Sequence, residues 1–144
     1  MNVKQNVRKI LLIDSNEILR IYFRDIFWIH GNNNLYEVEV VSSFEEAEKK
    51  LEYKDSKPDI IFLDVVMSIK GAKNSIENEI NRSVSFIKKI KNDKTLSDIK
   101  IIIYSDQKEK AIKDKVAELG IEGYLIKGEL MPKEIIKFVD KIYE

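Results

Sequence analysis

The chain has no cysteine, two prolines, five glycines and one histidine in 144 residues. Each scarcity removes a class of chemistry. Without cysteine there are no disulfides, no thiolate metal sites and no cysteine nucleophile. The one histidine, His30, adjoins Gly31-Asn32-Asn33-Asn34, a loop composition, so it is expected at the surface and cannot form a metal cluster alone. Apolar runs such as Ile10–Ile13 and Ile60–Leu63 stop at four residues, far short of the roughly 20 a membrane-spanning helix needs. Met1-Asn2-Val3-Lys4-Gln5 leads into no apolar stretch of signal-peptide type, and a cytoplasmic location without membrane insertion is expected. Lysine plus arginine and aspartate plus glutamate each number 25, giving zero net charge. Nucleic-acid binding relies on excess positive charge that displaces counterions, so no direct nucleic-acid contact is expected. Pro58 and Pro132 are the only prolines and no stretch reads as a linker. One domain over residues 1–144 is expected.

What is present is a globular composition, 44% hydrophobic and 35% charged, in which two kinds of segment alternate. Lys9–Ile13 is a short continuous apolar run, as a strand buried on both faces requires. Ser15 to Ile29 then carries Ile18, Leu19, Tyr22, Phe23, Ile26 and Phe27 at helical spacing, with Gly31 just past its end as a cap. Trp28, Phe23 and Phe27 are expected in or near the core. Tyr36–Val41 alternates like an edge strand, and Ser43-Phe44-Glu45-Glu46 reads as a capping box opening a helix to about Leu51. Asp59–Leu63 is a third strand; Ile76, Ile80, Val84, Ile87 and Ile90 mark a helix without a clear start. Lys100–Tyr104 is a fourth strand, Gln107–Leu119 a helix closed by Gly120, Tyr124–Ile126 a fifth strand, and Pro132 opens a last helix to about Tyr143. Five strands alternating with five helices imply an α/β fold, a doubly wound parallel sheet of the flavodoxin-like kind.

In such sheets functional groups gather beyond the carboxyl ends of the strands. Asp14 closes the first strand, Asp64 the third, Ser105 the fourth, and Lys127 follows the fifth. Taken singly, each has a structural reading: an aspartate or serine after a strand caps a helix or turn, and a lone lysine is solvated. Asp64 resists that reading, because Ile60–Leu63 precede it and Val65-Val66-Met67 follow. A charge in that setting needs neighbours or a metal to stabilise it. Two carboxylates, a hydroxyl and an ammonium at one sheet edge form a constellation.

The segments that carry it resemble the receiver domain of two-component response regulators. Lys9-Ile-Leu-Leu-Ile-Asp14 is similar to the first strand of that family, and Pro58-Asp-Ile-Ile-Phe-Leu-Asp64-Val-Val-Met67 to the segment with the phosphoacceptor aspartate. Ile101-Ile-Ile-Tyr-Ser105 resembles the strand with the switch serine or threonine, and Gly120-Ile-Glu-Gly-Tyr124-Leu-Ile-Lys127 the one with the switch aromatic and the lysine. The four segments span the chain in order. The resemblance implies that Asp64 accepts a phosphoryl group from a sensor histidine kinase or phosphotransfer protein, with Mg²⁺ held by Asp14, Asp64 and the Val66 carbonyl. It implies that Lys127 and Ser105 contact the phosphoryl oxygens. Ser105 and Tyr124 would switch a protein-binding face on the fourth helix, fifth strand and fifth helix. Such a domain is a signalling switch and no enzyme beyond its own phosphoryl transfer and dephosphorylation.

The pattern is broken in several places. The family has two adjacent acidic residues after its first strand, where this chain has Asp14-Ser15. Ser15 offers a neutral oxygen where a hard cation favours a carboxylate, and Glu17 is the nearest substitute. The Met-Pro after the phosphoacceptor is Met67-Ser68 here, and a polar stretch at about 69–82 is longer than the family's loop, as a lid, a surface insertion or an early turn of helix. Gly128 stands where a proline is common, and Asp106 puts a charge where a small residue is usual, as a helix cap or a repulsive neighbour of a phosphoryl group. Lys108, Lys110, Lys113 and Lys115 with Glu109 and Asp114 form a charged, solvated helix face or a docking face. Ser15 supports an alternative, a pseudo-receiver that binds partners without phosphorylation. A nucleotide-binding enzyme on the same fold is disfavoured, because Asp14-Ser15-Asn16-Glu17 is acidic and lacks a glycine-rich phosphate loop.

Overall fold

Apolar runs too short for helices and stripes at helical spacing alternate along the chain, and the fold follows that alternation. The computed structural model describes residues 7–31, 35–67 and 75–143. Its elements are β1 (Arg8–Ile13), α1 (Glu17–His30), β2 (Tyr36–Val41), α2 (Phe44–Leu51), β3 (Ile60–Leu63), α3 (Ile76–Asn92), β4 (Lys100–Ser105), α4 (Lys110–Ala117), β5 (Gly123–Ile126) and α5 (Pro132–Ile142). The strands form one parallel sheet in the order β2-β1-β3-β4-β5. β2 is an edge strand, which is why its burial alternates while β3 is buried throughout.

Side chains alternate across the sheet and feed two cores. Leu11, Ile13, Ile61, Leu63, Ile101 and Ile103 pack with α2, α3 and α4. Ile10, Leu12, Ile60, Phe62, Ile102 and Tyr104 face the layer of α1 and α5. On that side Phe62, Phe23 and Tyr104 meet as an aromatic cluster, with Phe23 and Phe62 centroids 4.9 Å apart. Burying one such side chain contributes about 1.5–3 kcal/mol.

The structure refines several boundaries. Asn16 caps α1 by accepting from the Leu19 amide, so the helix begins at Glu17 and not at Ser15. Ser43 caps α2 as expected, but Glu46 reaches past it and accepts from the Ser42 amide and hydroxyl, so the box closes one residue earlier. α3 starts at Ile76 behind its cap Ser75, so the later half of the 69–82 stretch is helix; residues 68–74 lie outside the described residues. α4 begins at Lys110 and not at Gln107, whose amide and carbonyl are taken by side chains of the site described below. Its cap position is Glu109, so Asp106 does not cap it.

Trp28 corrects an expectation: it is 70% exposed. Phe23, Ile26 and Phe27 occupy the sheet-facing arc of α1, and Trp28 is rotated about 100° beyond Phe27, onto the outer face. Gly31 closes α1 with φ −89°, not the left-handed cap its type suggests; glycine is required because a Cβ would lie 2.7 Å from the Phe27 carbonyl oxygen. Gly120 and Gly128 do take left-handed φ, +76° and +82°. His30 is exposed. Among the described residues no helix is long and apolar enough to cross a membrane.

Candidate functional site

Three adjacent strands end together. β1 runs into Asp14, β3 into Asp64, and β4 ends on Ser105, while the chain leaving β5 at the sheet edge presents Lys127. Parallel register makes this meeting unavoidable, since Ile13 pairs with Leu63, Leu63 with Ile103, and Ser105 with Ile126. Asp14, Asp64 and Ser105 are buried.

Asp64 sits at the centre of a ring of donors. Its Oδ1 accepts from Ser105 Oγ at 2.7 Å and from the Val66 amide at 3.1 Å. Its Oδ2 accepts from Lys127 Nζ at 2.6 Å. Burial pushes the Asp64 carboxyl above its usual range, a shift that Lys127, Ser105 and the Val66 amide reduce without cancelling. Lys127 also lies 2.7 Å from Asp14 Oδ2. Burial alone would lower the pKa of this ammonium, but two carboxylates act together against it and hold it above its usual value. One cation thus bridges two buried anions. An arrangement of this kind is costly to break, because either half left alone would be an uncompensated buried charge.

Asp14 is anchored by its neighbours: Oδ1 accepts from the Asn16 amide at 2.8 Å, and Arg20 Nη1 donates to its backbone carbonyl at 2.8 Å. Its Oδ2 is buried and takes no well-directed hydrogen bond among the described residues, although the ammonium is close. Ser15 is half-buried beside it, whereas Glu17 is exposed on the first turn of α1, with no hydrogen bond or ion pair to the site among the described residues. The described residues contain no group of three or more acidic or histidine side chains set to hold a metal. Hard-cation chemistry therefore falls to two carboxylates and neutral oxygens. That set still fits Mg²⁺, which accepts one or two carboxylates and keeps several waters, and a cation there would share Asp14 Oδ2 with the Lys127 ammonium or displace it.

Ser105 links the pocket to the β4–α4 loop: its hydroxyl accepts from the Gln107 amide at 3.2 Å while donating to Asp64. The Gln107 carbonyl in turn accepts from the Tyr124 hydroxyl at 2.6 Å. Lys113 lies 5.6 Å from the centre of the Tyr124 ring, so this lysine is not simply solvated. Lys108 pairs with Glu129 at 2.8 Å, and Lys115 donates to Asn81 at 2.6 Å. Asp106 is exposed and accepts from Gln107 Nε2 at 3.3 Å.

The structure brings Asp14, Asp64, Ser105 and Lys127 together at one edge of the sheet, and three contributors not expected from the sequence join them. Arg20 gave no signal, since an arginine on an amphipathic helix reads as surface. Gln107 acts through its backbone. Ser83 could have been found: positions 76, 80, 83, 87 and 90 form a 4-3-4-3 stripe, and Ser83 is the polar residue at its centre. It is fully buried, and its Oγ lies 2.8 Å from the Val65 carbonyl, 3.3 Å from that of Asp64 and 3.2 Å from that of Glu79.

A doubly wound five-stranded parallel sheet with two carboxylates, a hydroxyl and a lysine beyond its carboxyl edge defines an α/β module whose candidate site lies where such sheets bind their ligands. The sequence model of the family described as response regulator receiver domain matches residues 10–140, and the chain belongs to that family. Its fold is similar to a response regulator from Thermotoga maritima (18% identity, 94% of this chain and 97% of that one, TM-score 0.74). It is also similar to the phosphorylated cyanobacterial phytochrome response regulator RcpA (22%, 96% and 92%, TM-score 0.70). The Mn²⁺-bound form of response regulator Rcp1 is a third (19%, 94% and 91%, TM-score 0.67). A search of curated protein sequences gives no significant match.

Proposed function

We propose that the chain, taken over residues 1–144 as one receiver unit, accepts a phosphoryl group on Asp64 and converts it into a change of its protein-binding surface in the cytoplasm. The observation that carries this reading is the donor ring around Asp64: Ser105 Oγ, the Val66 amide and Lys127 Nζ, at 2.7, 3.1 and 2.6 Å. The donors that hold the carboxylate are those a phosphoryl group on it would need.

In the proposed step a carboxylate oxygen of Asp64 attacks the phosphorus of a phosphohistidine on a sensor kinase or phosphotransfer protein. The new P–O bond forms as the P–N bond breaks, and the departing imidazole nitrogen keeps the electron pair and takes a proton. Lys127 orients the phosphoryl oxygens and shares their charge. A bound divalent cation, Mg²⁺ physiologically, supplies charge neutralisation between carboxylate and phosphoryl group; Asp14, Asp64, the Val66 carbonyl and Ser15 would hold it. That response regulator Rcp1, a similar fold, has a Mn²⁺-bound form supports the reading that a divalent cation takes part here. Ser105 then trades its bond to Asp64 for one to the phosphoryl group. Gln107 joins Ser105 to Tyr124, so the trade is felt where α4, β5 and α5 meet, the proposed output face.

A second reading, a pseudo-receiver that binds partners without phosphorylation, is favoured by one feature: Lys127 already neutralises both carboxylates, and Ser15 adds no charge to attract a cation in its place. Intact mass after incubation with acetyl phosphate separates the two. The receiver reading expects a Mg²⁺-dependent phosphoryl adduct that Asp64→Asn abolishes. An adduct on Ser15→Asp alone, with none on the native chain, establishes the pseudo-receiver.

A further inference from the structure

The outer face of α1 has no role in the pocket and is unlike any other surface of the described residues. Ile18, Ile21, Tyr22, Asp25, Trp28 and Ile29 repeat at intervals of three and four, and at about 100° per residue they occupy an arc of about 120°. Ile18 is 79%, Trp28 70% and Ile29 66% exposed. The opposite arc, with Phe23, Ile26 and Phe27, is already buried against the sheet. α1 is therefore apolar on two sides, the pattern of a helix covered on both. Other exposed large apolar residues, such as Val7, Tyr53 and Ile76, lie outside α1 and far from one another in the chain.

We propose that this face pairs with the same face of a second copy of the chain, α1 against α1, antiparallel about a two-fold axis. The argument for a second copy is the order of residues along the stripe. Isoleucines stand at both ends, Ile18 and Ile29, and the polar pair Tyr22 and Asp25 lies between, with Arg24 at the margin. A two-fold contact places residue i against j and j against i. With the axis beside the turn between Phe23 and Arg24, Ile18 meets Ile29 of the second copy and Tyr22 meets its Asp25. Each tyrosine hydroxyl then donates to a carboxylate, twice by symmetry. A parallel pairing would set Asp25 on Asp25, two like charges in an apolar seam. A different protein would need no such palindrome. One helix pair buries little area, so the dimer is weak and concentration-dependent.

Trp28 is the chain's only tryptophan and lies within the stripe, so it reports on the contact directly. Sedimentation velocity and tryptophan emission are measured on the full chain from about 1 μM to about 1 mM. The expected result is a mass rising from 16.9 kDa towards twice that value, with a matching blue shift of the emission. Ile29→Glu is expected to weaken association at least tenfold and Tyr22→Phe several-fold, with unchanged circular dichroism. A constant monomer mass with fixed emission over the whole range overturns the proposal, as does Ile29→Glu dimerising like the native chain. Neither readout depends on phosphorylation of Asp64.

Discussion

At the amino end of the sheet, Arg8 Nη1 meets Asp140 Oδ1 at 2.6 Å, the Tyr36 hydroxyl donates to the same carboxylate, and the Arg8 guanidinium lies 4.4 Å from the centre of the Tyr143 ring. At the carboxyl end, Lys127 meets Asp64 and Asp14 at 2.6 and 2.7 Å. Both ends hold a cation, a carboxylate and a hydroxyl at similar distances. Asp140 is nearly half exposed, however, and water shares its charge, while Asp14 and Asp64 are closed off from solvent. Burial turns the same pairing from a modest staple into a tightly coupled unit. The amino end fastens α5 to the sheet. The carboxyl end stores unfavourable charge that a phosphoryl group or a cation could use.

The largest effect is expected where the coupled unit loses its cation. Lys127→Ala leaves two buried carboxylates uncompensated and should lower unfolding free energy by about 3–5 kcal/mol in urea titration. Adding Asp14→Asn and Asp64→Asn should restore most of that loss. A triple variant as unstable as the single one would show that the lysine acts through packing and that the two ends do not differ as described.

Ser83→Ala should cost about 1–3 kcal/mol by removing the buried hydroxyl that bonds the Val65 carbonyl. It should also shift the Val66 amide resonance, because that amide is bonded to Asp64. A variant that loses stability with the Val66 resonance unmoved would confine Ser83 to packing.

Asp64→Asn should raise neutral-pH stability, on the order of 1 kcal/mol. The folded state holds a proton on Asp64 more tightly than the unfolded chain does, so ionisation opposes folding. That penalty is absent below the ordinary value of 3.8 and grows as pH rises through the folded value. The gain should therefore vanish on acidification below about pH 3.8, and a gain independent of pH would point away from charge.

The smallest effect belongs to the amino end. Tyr36→Phe should cost under about 1 kcal/mol. Burial and its bond to Asp140 push the Tyr36 hydroxyl to about 12, so the native chain loses stability as pH rises from 10 to 12, and the variant should lose less. Tyr104 and Tyr143, also pushed to about 12 by burial, account for slope that remains.

The fold was legible because each strand is an uninterrupted or alternating apolar run and each helix carries a stripe. Tyr36–Val41 and the Pro132 helix start came out as read. The departures have two causes, side chains that take a helix's first backbone groups and the phase of a helix against the sheet. Gln107 reads as helix, yet its amide and carbonyl belong to Ser105 and Tyr124. Trp28 reads as core by residue type, while the phase of α1 turns it outward.

The sequence by itself determined which residues close each strand and therefore that Asp14, Asp64, Ser105 and Lys127 share one edge of the sheet. Parallel direction follows from the alternation of strands and helices, while the strand order β2-β1-β3-β4-β5 is seen only in the structure. Only the tertiary structure decided that Lys127 bridges both carboxylates, that Glu17 stays in solvent, and that Ser83 and Arg20 brace the strand ends. Those outcomes depend on side-chain reach and burial across elements far apart in the chain, which no local pattern records.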